Sequence, residues 1–215
     1  MADRVAPSRF HEVDWRVLAW AAATHFRTAS LAEGVRLVDA IGRLADGSRQ
    51  RPEIDLRPAG VTVRLFVDDT GALTDDDLAL AGEITAAARD LGTPVDPSAV
   101  QFVQIAIDAL VIADVRPFWE AVLGYRPIGD EDLIDPRSEG PTIWFQQMDA
   151  PRPQRNRIHI DLYVPQEQAE ARIAAAIEAG GRIVNDEHAP EWWTLADPEG
   201  NEVDVAPWPD QEARS

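Results

Sequence analysis

The second half of this chain repeats itself. Residues 102–148 and 157–207 each read as a strand, a helix and then several short strands, in the same order. In the first copy the alternating run Phe102-Val-Gln-Ile-Ala-Ile-Asp precedes an amphipathic stretch over 115–123 that stops at Gly124. In the second, Arg157-Ile-His-Ile-Asp-Leu-Tyr-Val precedes a helical stretch over 168–179 that stops at Gly180-Gly181. Alternation sends successive side chains to opposite faces of a strand, and glycine readily takes the backbone that ends a helix. A unit of about fifty residues cannot bury its own apolar face and must close against its copy. The expected result is one curved sheet built by both copies around a central cleft, which makes a small-molecule site the first hypothesis for function.

Composition narrows the remaining choices. With 215 residues and 45% hydrophobic content, the chain can bury a substantial core in one large domain or two small ones. It has no cysteine, so disulfides and thiolate metal ligation are excluded. A formal charge of −18 opposes binding to nucleic acid or anionic membrane, because phosphates need basic neutralisation. The start Met1-Ala-Asp-Arg-Val-Ala-Pro lacks the apolar run of a signal peptide, and no segment is long enough to cross a bilayer. A cytoplasmic protein is the expectation.

Residues 93–99, with two prolines and no periodicity, read as a linker between domains at 1–92 and 100–209, with a polar tail at 210–215. In the first domain, residues 15–20 and 25–28 read as short strands. Leu31, Val35, Leu37, Val38, Ile41 and Leu44 fall at helical spacing, and the run from Val61 to Val67 alternates as a strand does. Thr74-Asp-Asp-Asp77 opens a second helix, the hydroxyl capping a backbone N–H and the carboxylates suiting the positive end of the helix dipole. The fold class is therefore α+β: a small α+β unit, then a β-rich tandem repeat.

Residues 26–91 resemble the pterin-4a-carbinolamine dehydratase family. The resemblance is carried by Phe26-Arg27, the helix after it, Arg51-Pro52-Glu53, the strand from Val61, and Asp69-Thr-Gly-Ala-Leu-Thr-Asp-Asp-Asp-Leu-Ala-Leu-Ala81. In that family two adjacent histidines precede the proline and a third follows the strand, and these groups move the protons that expel water from a hydroxylated pterin. The matching positions here are Gln50, Arg51 and Asp68. Gln50 has no useful acid–base chemistry, Arg51 stays protonated, and Asp68 lacks a matched partner. The expectation is a retained scaffold, used for packing or dimerisation, that has lost its dehydration chemistry.

Residues 100–209 resemble the vicinal oxygen chelate superfamily, especially its glyoxalase-like and bleomycin-resistance-like subgroup. The carrying strings are Phe118-Trp119-Glu-Ala-Val-Leu-Gly124-Tyr125, Asn156-Arg-Ile-His159-Ile-Asp161, Ala179-Gly-Gly181 and the turn Asp197-Pro-Glu-Gly-Asn-Glu202. The resemblance implies tandem βαβββ modules. Metal-using members place ligands on the first and last strand of each module, positions that fall on Gln104, Gln146, His159 and Asp204. A divalent cation held by His159, Gln104 and Asp204 is thus the cofactor the resemblance implies, and a cleft binding an organic ligand without metal is the alternative. Trp144 and one of Trp192 or Trp193 are expected as aromatic walls, with Asp161, Gln104 and Gln146 orienting substrate and His159 and Asp204 catalytic. Trp119 reads as core, the acidic run from Gly129 to Asp135 as a solvated turn, and His188 as a loop residue.

The function expected is a glyoxalase-like small-molecule enzyme, a lyase or related activity. A sequestration protein of bleomycin-resistance type and a 4a-hydroxytetrahydrobiopterin dehydratase with a replaced site are the alternatives. Both resemblances imply a homo-oligomer, expected as a dimer, with a small molecule as partner.

Overall fold

The structure is a computed structural model, and it describes residues 5–67, 72–151, 159–164 and 166–207, with the backbone alone at 166 and 167. The chain divides into two compact units, Met1–Phe102 and Val103–Ser215. Asp68 and the tail at 210–215 lie outside the described residues. No helix among the described residues is long and apolar enough to cross a membrane.

The first unit opens with α1 (Pro7–His11), β1 (Arg16–Leu18) and β2 (Ala21–Arg27), followed by α2 (Leu31–Asp46). Next come β3 (Glu53–Arg57), β4 (Gly60–Phe66) and α3 (Asp75–Asp90). The strands form an antiparallel sheet in the order β1-β2-β4-β3. Helix α2 begins where Ser30 caps the N–H of Glu33. At α3, Thr74 and Asp77 form the reciprocal capping box that the Thr-Asp-Asp-Asp string predicts. Phe26, Val61, Val63 and Leu65 project from one sheet face into a core with Leu37 and Ile41 of α2 and Leu80 and Ile84 of α3. Trp15 is fully buried there, and its Nε1 donates to Thr85 Oγ1 at 3.0 Å.

The stretch read as a linker is tied to this unit. Val95 bridges Phe26, the Asp96 N–H donates to the His25 carbonyl, and Arg27 pairs with the Asp96 carboxylate. Hydrogen bonds from Ser98 and then Arg27 hold Asp96 down to a pKa of about 2. Any stability this adds is present above the ordinary carboxylate range and persists until the pH falls toward about 2.

In the second unit the duplication is explicit. The first copy is β5 (Gln104–Ala109), α4 (Ile112–Leu123), β6 (Arg126–Ile128), β7 (Asp132–Ile134) and β8 (Thr142–Gln147). The second is β9 (Ile160–Val164), α5 (Gln166–Glu178), β10 (Arg182–Asn185), β11 (Trp193–Ala196) and β12 (Glu202–Pro207). Each copy makes its own four-stranded sheet, β5-β8-β7-β6 and β10-β11-β12-β9, and in each the first strand runs parallel to the last. The single continuous sheet expected from the sequence is therefore corrected. The copies share a core rather than a ladder: Ile107, Phe118, Trp119, Val122 and Phe145 of the first pack in one cluster with Val164, Ile173, Leu195, Val203 and Val205 of the second. Full burial of each such side chain is worth about 1.5–3 kcal/mol, and neither copy assembles this cluster alone.

Local features recur between the copies. Helix α4 ends at Gly124, whose φ of 70° is the left-handed turn glycine tolerates. Before β8, Asp135 accepts the N–H groups of Arg137, Glu139 and Gly140; before β12, Asp197 accepts those of Glu199 and Asn201. Two contacts then lock the copies together. Asp197 Oδ2 takes the Trp119 indole N–H at 3.0 Å, and the Glu199 carboxylate takes the N–H groups of Leu110 and Val111 at 2.6 and 2.7 Å, ahead of α4. That helix has no capping side chain of its own at Val111, so its start is satisfied from the other copy.

The acidic run from Gly129 to Asp135 is an exposed turn only as far as Glu131, and the expectation is corrected for the rest. Asp132 lies on β7, and both it and Asp135 are buried. Burial works against the charge of Asp135, but the three backbone N–H groups outweigh it and hold its pKa below the usual range.

Candidate functional site

Strand alternation sorts each sheet of the second unit into a core face and an opposite face. On β9 and β12 the core face carries Ile160, Leu162, Val203 and Val205. The opposite face carries Asp161 and Asp204, which are direct register partners. His159, just before β9, completes a cluster. Its Nε2 lies 3.3 Å from Asp161 Oδ1 and 3.6 Å from Asp204 Oδ2. One donor atom from each residue lies within 4.8 Å of the other two. Asp204 Oδ1 is buried and has no hydrogen-bond partner among the described residues. Two carboxylates and an imidazole thus face one another across one corner of this sheet. The set of one nitrogen and two carboxylate oxygens suits a divalent metal with positions left for substrate oxygens.

Register and the shared Asp-Pro turns give the first-copy equivalents. Trp144 stands where Asp204 does, and Gln104, one step outside the β9 register, where His159 does. Gln104 is held toward β7, its Nε2 donating to Asp132 Oδ1 at 2.7 Å. Trp144 is half-buried on the face away from the core, with its Nε1 at 3.5 Å from Glu131 Oε2. Gln146 is exposed on that same face. The tryptophan pair divides: Trp193 packs against the core, while Trp192 stacks on the His188 ring with centroids 4.0 Å apart. The structure thus brings His159, Asp161 and Asp204 together, places Gln104, Trp144 and Gln146 on the other sheet, and turns Trp193 inward.

Sequence reasoning missed Asp132, which was hidden in an acidic string whose charge suggests solvent. It also counted Asp161 among the substrate-binding groups and not among the metal ligands. The signal for Asp161 was present: residues two apart on a strand share a face, as His159-Ile-Asp161 does.

In the first unit, two of the positions corresponding to the family's histidines, Gln50 and Arg51, make local hydrogen bonds. Gln50 Nε2 donates to Asp77 Oδ1 at 2.9 Å, so it holds the 47–52 loop against the capping box of α3. Arg51 donates to the carbonyls of Ser48 and Gln50. Gln50→Leu leaves the buried Asp77 without this donor and is expected to cost about 1–3 kcal/mol, read as a lower urea midpoint at unchanged slope.

The geometry defines a class before any comparison: paired βαβββ modules whose faces away from the helices carry the polar groups. Comparison agrees with it. Residues 104–206 match the family model described as a glyoxalase-like domain, and residues 3–87 match that of pterin 4 alpha carbinolamine dehydratase. Among solved structures, a glyoxalase/bleomycin resistance protein from Albidiferax ferrireducens is 18% identical, with TM-score 0.39, covering 50% of this chain and 98% of its own. The fosfomycin resistance protein FosX from Mesorhizobium loti is 8% identical, with TM-score 0.41, covering 53% of this chain and 95% of its own. FosX from Listeria monocytogenes is 12% identical, with TM-score 0.41, covering 54% and 97%. None of the curated proteins matches the chain.

Proposed function

We propose that the second unit is a small-molecule enzyme of the vicinal oxygen chelate type, centred on the second repeat, with His159, Asp161 and Asp204 holding a divalent cation. The observation that carries this reading is the convergence of three donor atoms within 4.8 Å beside the buried, unpartnered Asp204 Oδ1. A bound cation supplies a Lewis acid for substrate oxygens. The chain's own residues do the rest: Asp161 and Asp204 provide the balancing charge, and His159 Nε2 is fixed between them. A short strand pair sets the two aspartates in register, which places the donors on a rigid element. The proposed set differs from the one the resemblance implies in taking Asp161 as a ligand in place of Gln104.

The first unit, on this reading, is a scaffold without dehydration chemistry. Gln50 is engaged by Asp77, and Arg51 keeps its proton at any working pH. The test is direct metal titration of the whole chain with Mn2+ and Zn2+. Binding of about one ion, lost in His159→Ala, supports the proposal; no binding by the unaltered protein overturns it.

A further inference from the structure

The sheet face that carries the metal cluster continues past it. One row across the strands holds Thr194 of β11, Asp204 of β12 and Asp161 of β9, in register. Two residues further along β12 stands Ala206, whose register partner on β9 is Tyr163. Residues two apart on a strand share a face, so Ala206 and Tyr163 lie on the side of Asp204 and Asp161. On β11 the register closes with Trp193, which packs on the core, opposite Val205. Trp192, one step beyond, is level with Ala206 and by alternation leaves the core side. The second row is therefore Trp192, Ala206 and Tyr163, an alanine between two aromatic residues.

All three are open to a ligand. Tyr163 is 60% exposed, and Ala206 and Trp192 are half-buried. The His188 ring covers one face of the Trp192 indole, with planes 20° apart, and leaves the other. Neighbouring strands lie about 4.8 Å apart, so Tyr163 and Trp192 rise from backbones about 9–10 Å apart. One flat ring in contact with a wall on each side takes about 7–8 Å, two contacts of about 3.5–4.0 Å. The methyl group of Ala206 leaves that width open, and a larger side chain there would fill it. A rise of about 3.3 Å per residue sets this slot about 6–7 Å from the row of Asp204 and Asp161. An aryl ring joined directly to metal-bound oxygens falls short of it; one set off by a saturated carbon reaches it.

We propose that this slot binds the aryl group of a small ligand whose oxygen atoms lie on the cation, with Trp192 and Tyr163 as walls and Ala206 as floor. The inference rests on the metal reading of this unit and names the ligand class that reading leaves open. Register adds Tyr163 and Ala206 to the aromatic wall expected at Trp192.

The experiment loads the full chain with Mn2+ and titrates it by calorimetry with acetohydroxamate, cyclohexylacetohydroxamate and phenylacetohydroxamate, which offer the same two oxygens. The readout is the ratio of affinities within one protein, which a general change in metal binding does not move. The phenyl compound is expected to bind about tenfold or more tighter than acetohydroxamate, as burial of an apolar ring implies. It is expected to bind several-fold tighter than the cyclohexyl compound, which has the bulk without the flat face. In Ala206→Leu the phenyl advantage is expected to vanish. Trp192→Leu and Tyr163→Leu give a second reading should Ala206→Leu not fold, each expected to cut the advantage several-fold. Bound Mn2+ with no preference for the phenyl compound, or with a preference these changes leave intact, overturns the proposal and leaves the metal reading standing. No binding of Mn2+ overturns both.

Discussion

Asp197→Ala is expected to destabilise the second unit by about 3 kcal/mol or more, because it takes one buried acceptor away from four donors, each costing about 1–3 kcal/mol if left unmatched. For a unit of this size that lowers Tm by on the order of 10–20 °C. Asp197 is fully buried and accepts four hydrogen bonds, from Trp119 Nε1, the N–H groups of Glu199 and Asn201, and Asn201 Nδ2. Alanine would leave each of these donors to find another partner in a dry site, where an unmatched polar group costs about 1–3 kcal/mol. The Trp119 contact joins the two repeats, so the loss should weaken their shared core and not the turn alone. Asp197→Asn should fall between the two, because its amide turns N–H groups toward donors on one side. Calorimetry of the three proteins checks the order, and an alanine variant melting with the parent would refute it.

His159→Ala is expected to reduce divalent metal affinity by more than the roughly 10–100-fold that follows loss of a mere outer-shell partner. The imidazole is the one nitrogen donor in the cluster, and its Nε2 faces both carboxylates. Two exposed or half-exposed aspartates facing each other without it attract cations only weakly. The same change should leave Tm nearly unmoved in the absence of metal, because His159 is exposed and lies outside the core. A fall in affinity with no fall in stability separates a ligand from a packing residue. Equal affinity in both proteins would place the ion elsewhere.

Much of the architecture was legible in the residues because it rests on short-range signals. The Thr74–Asp77 cap, the glycine at 124 and the Asp-Pro turn at 197 each act over a few residues, and the structure places each as a local rule dictates. Strand β3 was overlooked although Glu53-Ile-Asp-Leu-Arg alternates cleanly and sends Ile54 and Leu56 to the core. What the sequence did not disclose depends on partners far away along the chain. Asp132 and Asp135 look solvated until Gln104 is set beside the first and three backbone N–H groups of a turn around the second. Nothing local told that each repeat would complete its own sheet, since hydrogen bonding between first strands leaves no periodic mark. For the candidate site, period-two spacing already put His159 and Asp161 on one face. The register of β12 that brings Asp204 beside them is a tertiary fact.

The most direct test is a crystal structure of the protein grown with Mn2+ and phased to show anomalous scattering. The account predicts a single peak at about 2.0–2.6 Å from His159 Nε2 and from carboxylate oxygens of Asp161 and Asp204, with Gln104 still bonded to Asp132. A peak coordinated by Gln104, or a full-occupancy ion away from these three residues, would contradict it.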